Sequence, residues 1–293
     1  MPDRIDGISH GDDINLLWVN CMQNIKRYDG LEMIHRPDLW THIRRVGYLS
    51  KVLSIYISTR VDTPYSLDAQ KTFRMGLRHD DPELITTDIP APVKRQLSIE
   101  QLQHLKAQEQ TAGIALARYL YCYPEDSPLY KLYVSEQGEL IQKETPEAQI
   151  VDVADKWDAV CEILHDIRCG NKDYISLLEF SRKTLAKFER YPFWNMLADE
   201  FGLANIPNDE EITHLSKIGI DDLVDRSKVS SLMRRPATDE WPEAYKIWGE
   251  LNANIFYRNP EKYIFPGWYL NLWQKWETPP KDTTTVSGII IPK

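Results

Sequence analysis

Apolar residues recur at helical spacing through one segment after another of this chain, and that recurrence restricts the fold more than any other feature of the sequence. The clearest case is the stripe Leu39, Ile43, Val46, Ser50, Leu53 and Ile57, which spans about five helical turns behind Asp38 as a cap. An earlier helix is expected over Ile14, Leu17, Cys21 and Ile25, capped by Asp12 or Asp13 and running out near Arg27-Tyr28-Asp29-Gly30. A third runs from about Leu67 to His79. Pro82, Pro90 and Pro92 then break any long helix between Asp81 and Val93, leaving a short helical turn and an ordered loop. Ser98 with Gln101 makes a capping box for a long helix reaching about Tyr121. Pro124 to Glu144 is rich in turn residues, with Leu129 to Val134 as a weak strand candidate. Pro146 opens the next helix, Gly170 ends it, and Asp173 to Arg190 gives another. Helix after helix, joined by loops, is an all-α fold.

At 293 residues the chain can hold one full-sized core and an extension. The composition changes after about residue 205, where Pro207-Asn208-Asp209 forms a loop and large aromatics become frequent. Five of the nine tryptophans follow: Trp241, Trp248, Trp268, Trp273 and Trp276. The expected division is a core over 1–205 and an aromatic-rich, mainly helical extension over 206–293, ending in a tail at 282–293. The rings are expected to pack the extension onto the core.

The net charge of -9 excludes a general nucleic-acid polymer binder, which needs a basic surface, but leaves room for a small anion in a local basic pocket. Cys21, Cys122, Cys161 and Cys169 show neither CxxC spacing nor disulfide-framework density, so reduced thiols in a cytoplasmic protein are expected. Met1 to Asp13 carries charges and no apolar h-region, and no apolar run approaches the roughly 20 residues of a membrane span. No membrane partner is expected.

The chemistry concentrates in Phe73-Arg74-Met75-Gly76-Leu77-Arg78-His79-Asp80-Asp81-Pro82-Glu83. An imidazole and a carboxylate stand side by side at a helix end, and Glu83 follows about one turn later, facing the same space. His42 lies beside the apolar stripe of the second helix. Asp155, Asp158 and Glu162 fall on faces neighbouring the apolar stripe of the Pro146 helix, and Asp152 and Asp158 compete with Asp155 as the acid of interest. Two imidazoles and two carboxylates suit a divalent cation such as Mn, Co, Fe, Ni or Zn. The remaining histidines, His10, His104, His165 and His214, are read as structural or surface groups, with His35 in reserve as a ligand. No further histidine pair completes a second site, so one metal ion is expected.

Taken in order, these residues resemble the HD-domain metal-dependent phosphohydrolases, and more closely the YfbR-like 5'-deoxynucleotidases. His79-Asp80-Asp81-Pro82-Glu83 followed by Thr86-Thr87-Asp88-Ile89-Pro90-Ala91-Pro92-Val93-Lys94 is similar to that family's HD...E...TGD(I/L)PTPVK pattern. Ala154-Asp155-Lys156 resembles its later AD motif, and Arg27-Tyr28 stands fifteen residues before His42, where the family carries Arg-Trp. The likeness covers about residues 15 to 200. Two departures stand out: Thr41-His42-Ile43 replaces the usual Glu-His-Ser, and Thr87 replaces the usual Gly.

The resemblance implies an HD-type helical bundle and hydrolysis of nucleotide phosphates with one divalent metal, drawn from Mn, Co, Fe, Ni, Zn or Mg. It implies His42, His79, Asp80 and Asp155 as metal ligands and Glu83 as the acid/base group. Asp88 would act near the sugar and the reaction centre, Arg27 and Lys94 would hold phosphate, and Tyr28 would pack on the sugar or base. It also suggests a homodimer. The expected reaction is release of phosphate from deoxynucleoside monophosphates. Hydrolysis of a deoxynucleoside triphosphate is the nearest alternative, and a non-catalytic nucleotide-binding module is an alternative of another class.

Overall fold

The computed structural model describes residues 16–28, 33–34, 36–60, 66–87, 89, 91–94, 96–169, 171, 183–206, 241–252, 283–286 and 289–292. Helices dominate: α1 (Leu16–Asn24), α2 (Leu39–Thr59), α3 (Ala69–Arg78), α4 (Glu83–Thr86), α5 (Ala91–Lys94), α6 (Ile99–Tyr119), α7 (Pro128–Gln142), α8 (Pro146–Arg168), α9 (Trp194–Glu200) and α10 (Glu243–Asn252). No helix among the described residues is long and apolar enough to cross a membrane. The all-α expectation holds for the body of the chain. The expected tail contains a small antiparallel hairpin, β1 (Thr283–Val286) with β2 (Ile289–Pro292), in which Thr283 pairs with Pro292 and Val286 with Ile289. Its runs Thr-Thr-Thr-Val and Ile-Ile-Ile are β-branched and suit a pleated backbone.

The chain forms two compact units, Asp13–Lys51 with Asp68–Asp155, and Met1–Asp12 with Val52–Leu67 and Lys156–Lys293. In the first, α2 and α3 cross at two glycines. A Cβ on Gly76 would meet the Gly47 Cα at 2.7 Å, so only the absence of side chains allows this approach. The Asp68 side chain caps α3 by accepting from the Gln70 and Lys71 amides at 2.9 and 3.0 Å. Ion pairs Lys71–Glu139 and Arg74–Glu136, both 2.7 Å, fasten α3 to α7. The Ser98–Gln101 capping box starts α6 as expected.

Helix α7 occupies the segment expected to hold a strand. Ser127 accepts from the Tyr130 amide at 3.1 Å, and Pro128 takes a first-turn position where its missing N–H costs nothing. The buried set Tyr133, Glu136, Gln137 and Leu140 has helical, not alternating, spacing. Lys143 closes the helix in the left-handed region at φ 56°.

The second unit is built on aromatic packing. Phe201 meets Tyr56 and Trp157 at ring separations of 5.2 and 5.3 Å. Helix α10 docks on α8 through Trp157 Nε1 donating to the Ala244 carbonyl at 3.0 Å and Trp248 Nε1 donating to Asp158 Oδ1 at 2.6 Å. Trp241, Tyr245 and Trp248 are buried. Trp268, Trp273 and Trp276 lie outside the described residues, as does the Asp12–Asp13 cap. Of the helix expected over Asp173 to Arg190, residues 183–185 are helical and Ala186–Arg190 tightens into a 3-10 turn.

Candidate metal centre

His42 sits on α2 with no exposed surface. Asp38 starts that helix by accepting from the Thr41 amide at 2.8 Å. His79 and Asp80 follow directly on α3, and Asp155 lies in α8. The α2–α3 glycine crossing brings the two imidazoles together, Nε2 to Nε2 at 3.1 Å. Asp80 spans both: its Oδ2 lies 3.2 Å from His42 Nε2 and its Oδ1 3.2 Å from His79 Nε2. Asp155 Oδ1 completes the group at 3.4 Å from His42 Nε2 and 3.9 Å from His79 Nε2.

The set fits a divalent cation. The Nδ1–H of His79 donates to the Gly76 carbonyl at 2.7 Å, which turns Nε2 towards the group, where a neutral ring would offer its lone pair to a cation. Metal–ligand bonds of about 2.0–2.2 Å place neighbouring donors about 3.0–3.5 Å apart, the range seen for most of these pairs. Burial works to raise the Asp80 carboxyl, but His79 and His42 prevail and hold it well below the ordinary carboxylate range, so it is ionised. The donors are nitrogen and oxygen in equal number, the chemistry of a borderline divalent metal.

His79, Asp80 and Asp155 border a cavity of about 260 Å³. Glu83 and Lys94 line it too, with Lys94 Nζ 3.8 Å from Glu83 Oε1 and 3.9 Å from Glu109 Oε1. Leu102, Leu105, Leu140 and Val151 form an aliphatic wall, and Lys106 and Lys143 add cationic groups. Lys143 pairs with Asp152, Asp158 accepts from Trp248 and also lies near His42 together with Glu162, and Asp155 meets both Nε2 atoms.

Arg27 and Tyr28 approach the group from the segment before α2. Arg27 is buried, with Nη1 3.5 Å from Asp80 Oδ2 and its guanidinium 5.2 Å from the Tyr28 ring centre. The Arg27 amide donates to the Pro37 carbonyl at 3.1 Å, which places it beside the start of α2. Neither residue lines the cavity. Asp88 lies outside the described residues.

The sequence profile of the family described as 5'-deoxynucleotidase YfbR-like matches residues 16–201. The chain belongs to that family. YfbR-like proteins are HD-type hydrolases, and this member keeps the HD pair as His79-Asp80. A 5'-deoxynucleotidase of Shewanella oneidensis is 24% identical over 155 residues, which are 52% of this chain and 74% of the relative. The fold is shared with an HD-domain phosphohydrolase of Listeria innocua, with a TM-score of 0.54 at 16% identity, over 69% of this chain and 96% of the other.

Sequence reasoning missed several groups of this YfbR-like site. Glu109 holds Lys94 from α6, and Asp81, next to the HD pair, accepts from Trp18, Tyr121 and Tyr133. Burial pushes the Asp81 carboxyl up to about 6 against the pull of Arg78 and the three donors. A second acid in the His79-Asp80-Asp81 string was visible, but its partners lie 40 to 63 residues away in the chain and carry no local signal.

Proposed function

We propose that this chain is a metal-dependent nucleotide phosphohydrolase that releases phosphate from deoxynucleoside 5'-monophosphates. The observation that carries the reading is the meeting of His42, His79, Asp80 and Asp155 at the edge of a cavity that also holds Glu83 and Lys94. His42, His79, Asp80 and Asp155 would hold one divalent cation, with Mn, Co, Fe, Ni, Zn and Mg as the candidates. When bound, that cation polarises a phosphoryl oxygen and lowers the pKa of water.

The chain's own groups supply the rest. Glu83, 8% exposed, moves a proton at its carboxylate. The Lys94 ammonium, held between Glu83 and Glu109, offsets charge on the phosphoryl group. The aliphatic wall packs the nucleoside and excludes water from one side of the reacting centre. Asp88 acts near the sugar, and Arg27 supports the phosphate region through Asp80, with Tyr28 beside it. The family's description as 5'-deoxynucleotidase favours a monophosphate over a triphosphate. Residues 1–205 form the phosphohydrolase core in this reading and 206–293 an extension; the protein acts in the cytoplasm, as a homodimer.

The test is turnover of deoxynucleoside mono-, di- and triphosphates with Mn, Co and Mg, with products resolved by chromatography. Phosphate and a deoxynucleoside from the monophosphates is the expected result. Inorganic triphosphate from a triphosphate would move the chain to the other reaction, and nucleotide binding with no turnover would make it a binding module.

A further inference from the structure

We propose that Asp81 is a positioning residue for the cation site: it fixes the turn that carries His79 and Asp80 and thereby sets the affinity for the metal. This rests on the reading of His79 and Asp80 as metal ligands. Asp81 has no exposed surface and does not line the cavity. Its Oδ1 accepts from Trp18 Nε1 at 2.8 Å, and its Oδ2 accepts from the hydroxyls of Tyr121 and Tyr133 at 2.8 and 2.9 Å. The donors come from α1, from the segment just after α6, and from α7. The main chain is held as well, since the Asp81 amide donates to the Arg78 carbonyl at 3.1 Å and the Leu84 amide donates to the Asp81 carbonyl at 3.0 Å. Over the rings of the same two tyrosines, the Arg78 guanidinium lies 5.3 Å from the Tyr121 ring centre and 5.6 Å from that of Tyr133.

A carboxylate is an expensive way to fill a buried space, because an apolar side chain of similar size holds a fold at no desolvation cost. What three directional donors add is a fixed orientation. The group so oriented is the peptide shared with Asp80, whose two oxygens must each keep 3.2 Å from a different imidazole. A rotation of this turn would move Asp80 off one histidine. Polar groups that hold metal ligands in place typically account for about 10- to 100-fold in metal affinity.

The experiment titrates the metal-free full chain with Mn(II), in competition with a fluorescent chelator, beside melting of the metal-free proteins. Asp81→Asn is expected to bind Mn(II) about 10- to 100-fold more weakly, while turnover recovers towards wild type once Mn(II) saturates. Trp18→Phe, Tyr121→Phe and Tyr133→Phe each remove one donor and are expected to fall between, and they carry the test if Asp81→Asn does not fold. Glu136→Gln alters another buried acid, 2% exposed and bound to Arg74, and is expected to change melting without changing affinity. Wild-type Mn(II) affinity in the Asp81 and donor variants, with melting alone lowered, would overturn the proposal. A wild-type chain that takes up no divalent cation would instead remove the ligand reading, and this inference with it.

Discussion

A Cβ on Gly76 would stand 2.7 Å from the Cα of Gly47 and 3.0 Å from its amide nitrogen. Helices α2 and α3 therefore touch backbone to backbone, five residues after His42 and three before His79. Gly76→Ala has no flexible neighbour to push aside, so the helices must separate. We expect a loss of about 1–3 kcal/mol and weaker metal retention as the two imidazoles part. Gly47→Ala first meets the Leu77 side chain, at 3.1 Å, and is expected to cost less. Melting curves and metal content of the two variants check this, and equal effects would contradict it.

Thr87 occupies φ 65°, ψ 158°, a region that glycine enters freely and a β-branched residue does not. Such residues cost on the order of 1–3 kcal/mol. Glycine also raises the entropy of the unfolded chain, at a cost of about 0.4–1 kcal/mol. Relief of strain is the larger effect, so Thr87→Gly is expected to raise the melting temperature. A lower one would mean that Thr87 makes contacts that outweigh its strain.

His42 was legible beside a helical stripe that the apolar pattern fixes, whereas the string from His79 to Lys94, and Asp155 in preference to Asp152 and Asp158, were legible through their likeness to the family's motifs. Their meeting was not a matter of pattern. It depends on Gly47 and Gly76, which as sequence are simply two glycines within helices. Residues 129–134 misled because turn residues surround them, while Ser127 and Pro128 start a helix. Asp81, Glu109 and the Lys143–Asp152 pair were hidden for a different reason: their partners come from other elements, and a charged residue in sequence looks the same whether it is solvated or enclosed.

Cys169 offers a pH test away from the metal centre. Burial, with a further push from Asp166 against Arg168, raises its thiol to about 12. An acid whose folded pKa is raised keeps its proton in the fold and loses it first in the unfolded chain. Stability from this group is therefore full below the ordinary thiol range and falls as pH climbs from about 9 towards 12, by about 1.4 kcal/mol per pH unit. Wild type should lose stability faster than Cys169→Ala over that range in urea titrations. In the native protein at pH 8, a thiol reagent should modify exposed Cys122 and spare Cys161 and Cys169.

Metal binding and turnover should separate cleanly at the centre itself. Asp80 touches both imidazoles, so Asp80→Ala removes a shared contact and is expected to abolish metal retention and activity together. Glu83 lines the same cavity from the start of α4 and pairs there with Lys94 at 3.8 Å. Glu83→Ala should keep its metal and lose about 100- to 10,000-fold in kcat, the range for a lost acid/base group. Lys94 is about a third exposed, so solvent shares its work. Lys94→Met should cost about 10- to 100-fold in kcat/KM, less than the roughly 100- to 1,000-fold of a fully enclosed donor. Metal analysis of the purified variants, followed by nucleotide turnover at saturating Mn(II), reads all three. An Asp80→Ala protein that stayed fully active with its metal in place would remove the assignment of the site, and a Glu83→Ala protein of unchanged kcat would move the proton-transfer role to another residue.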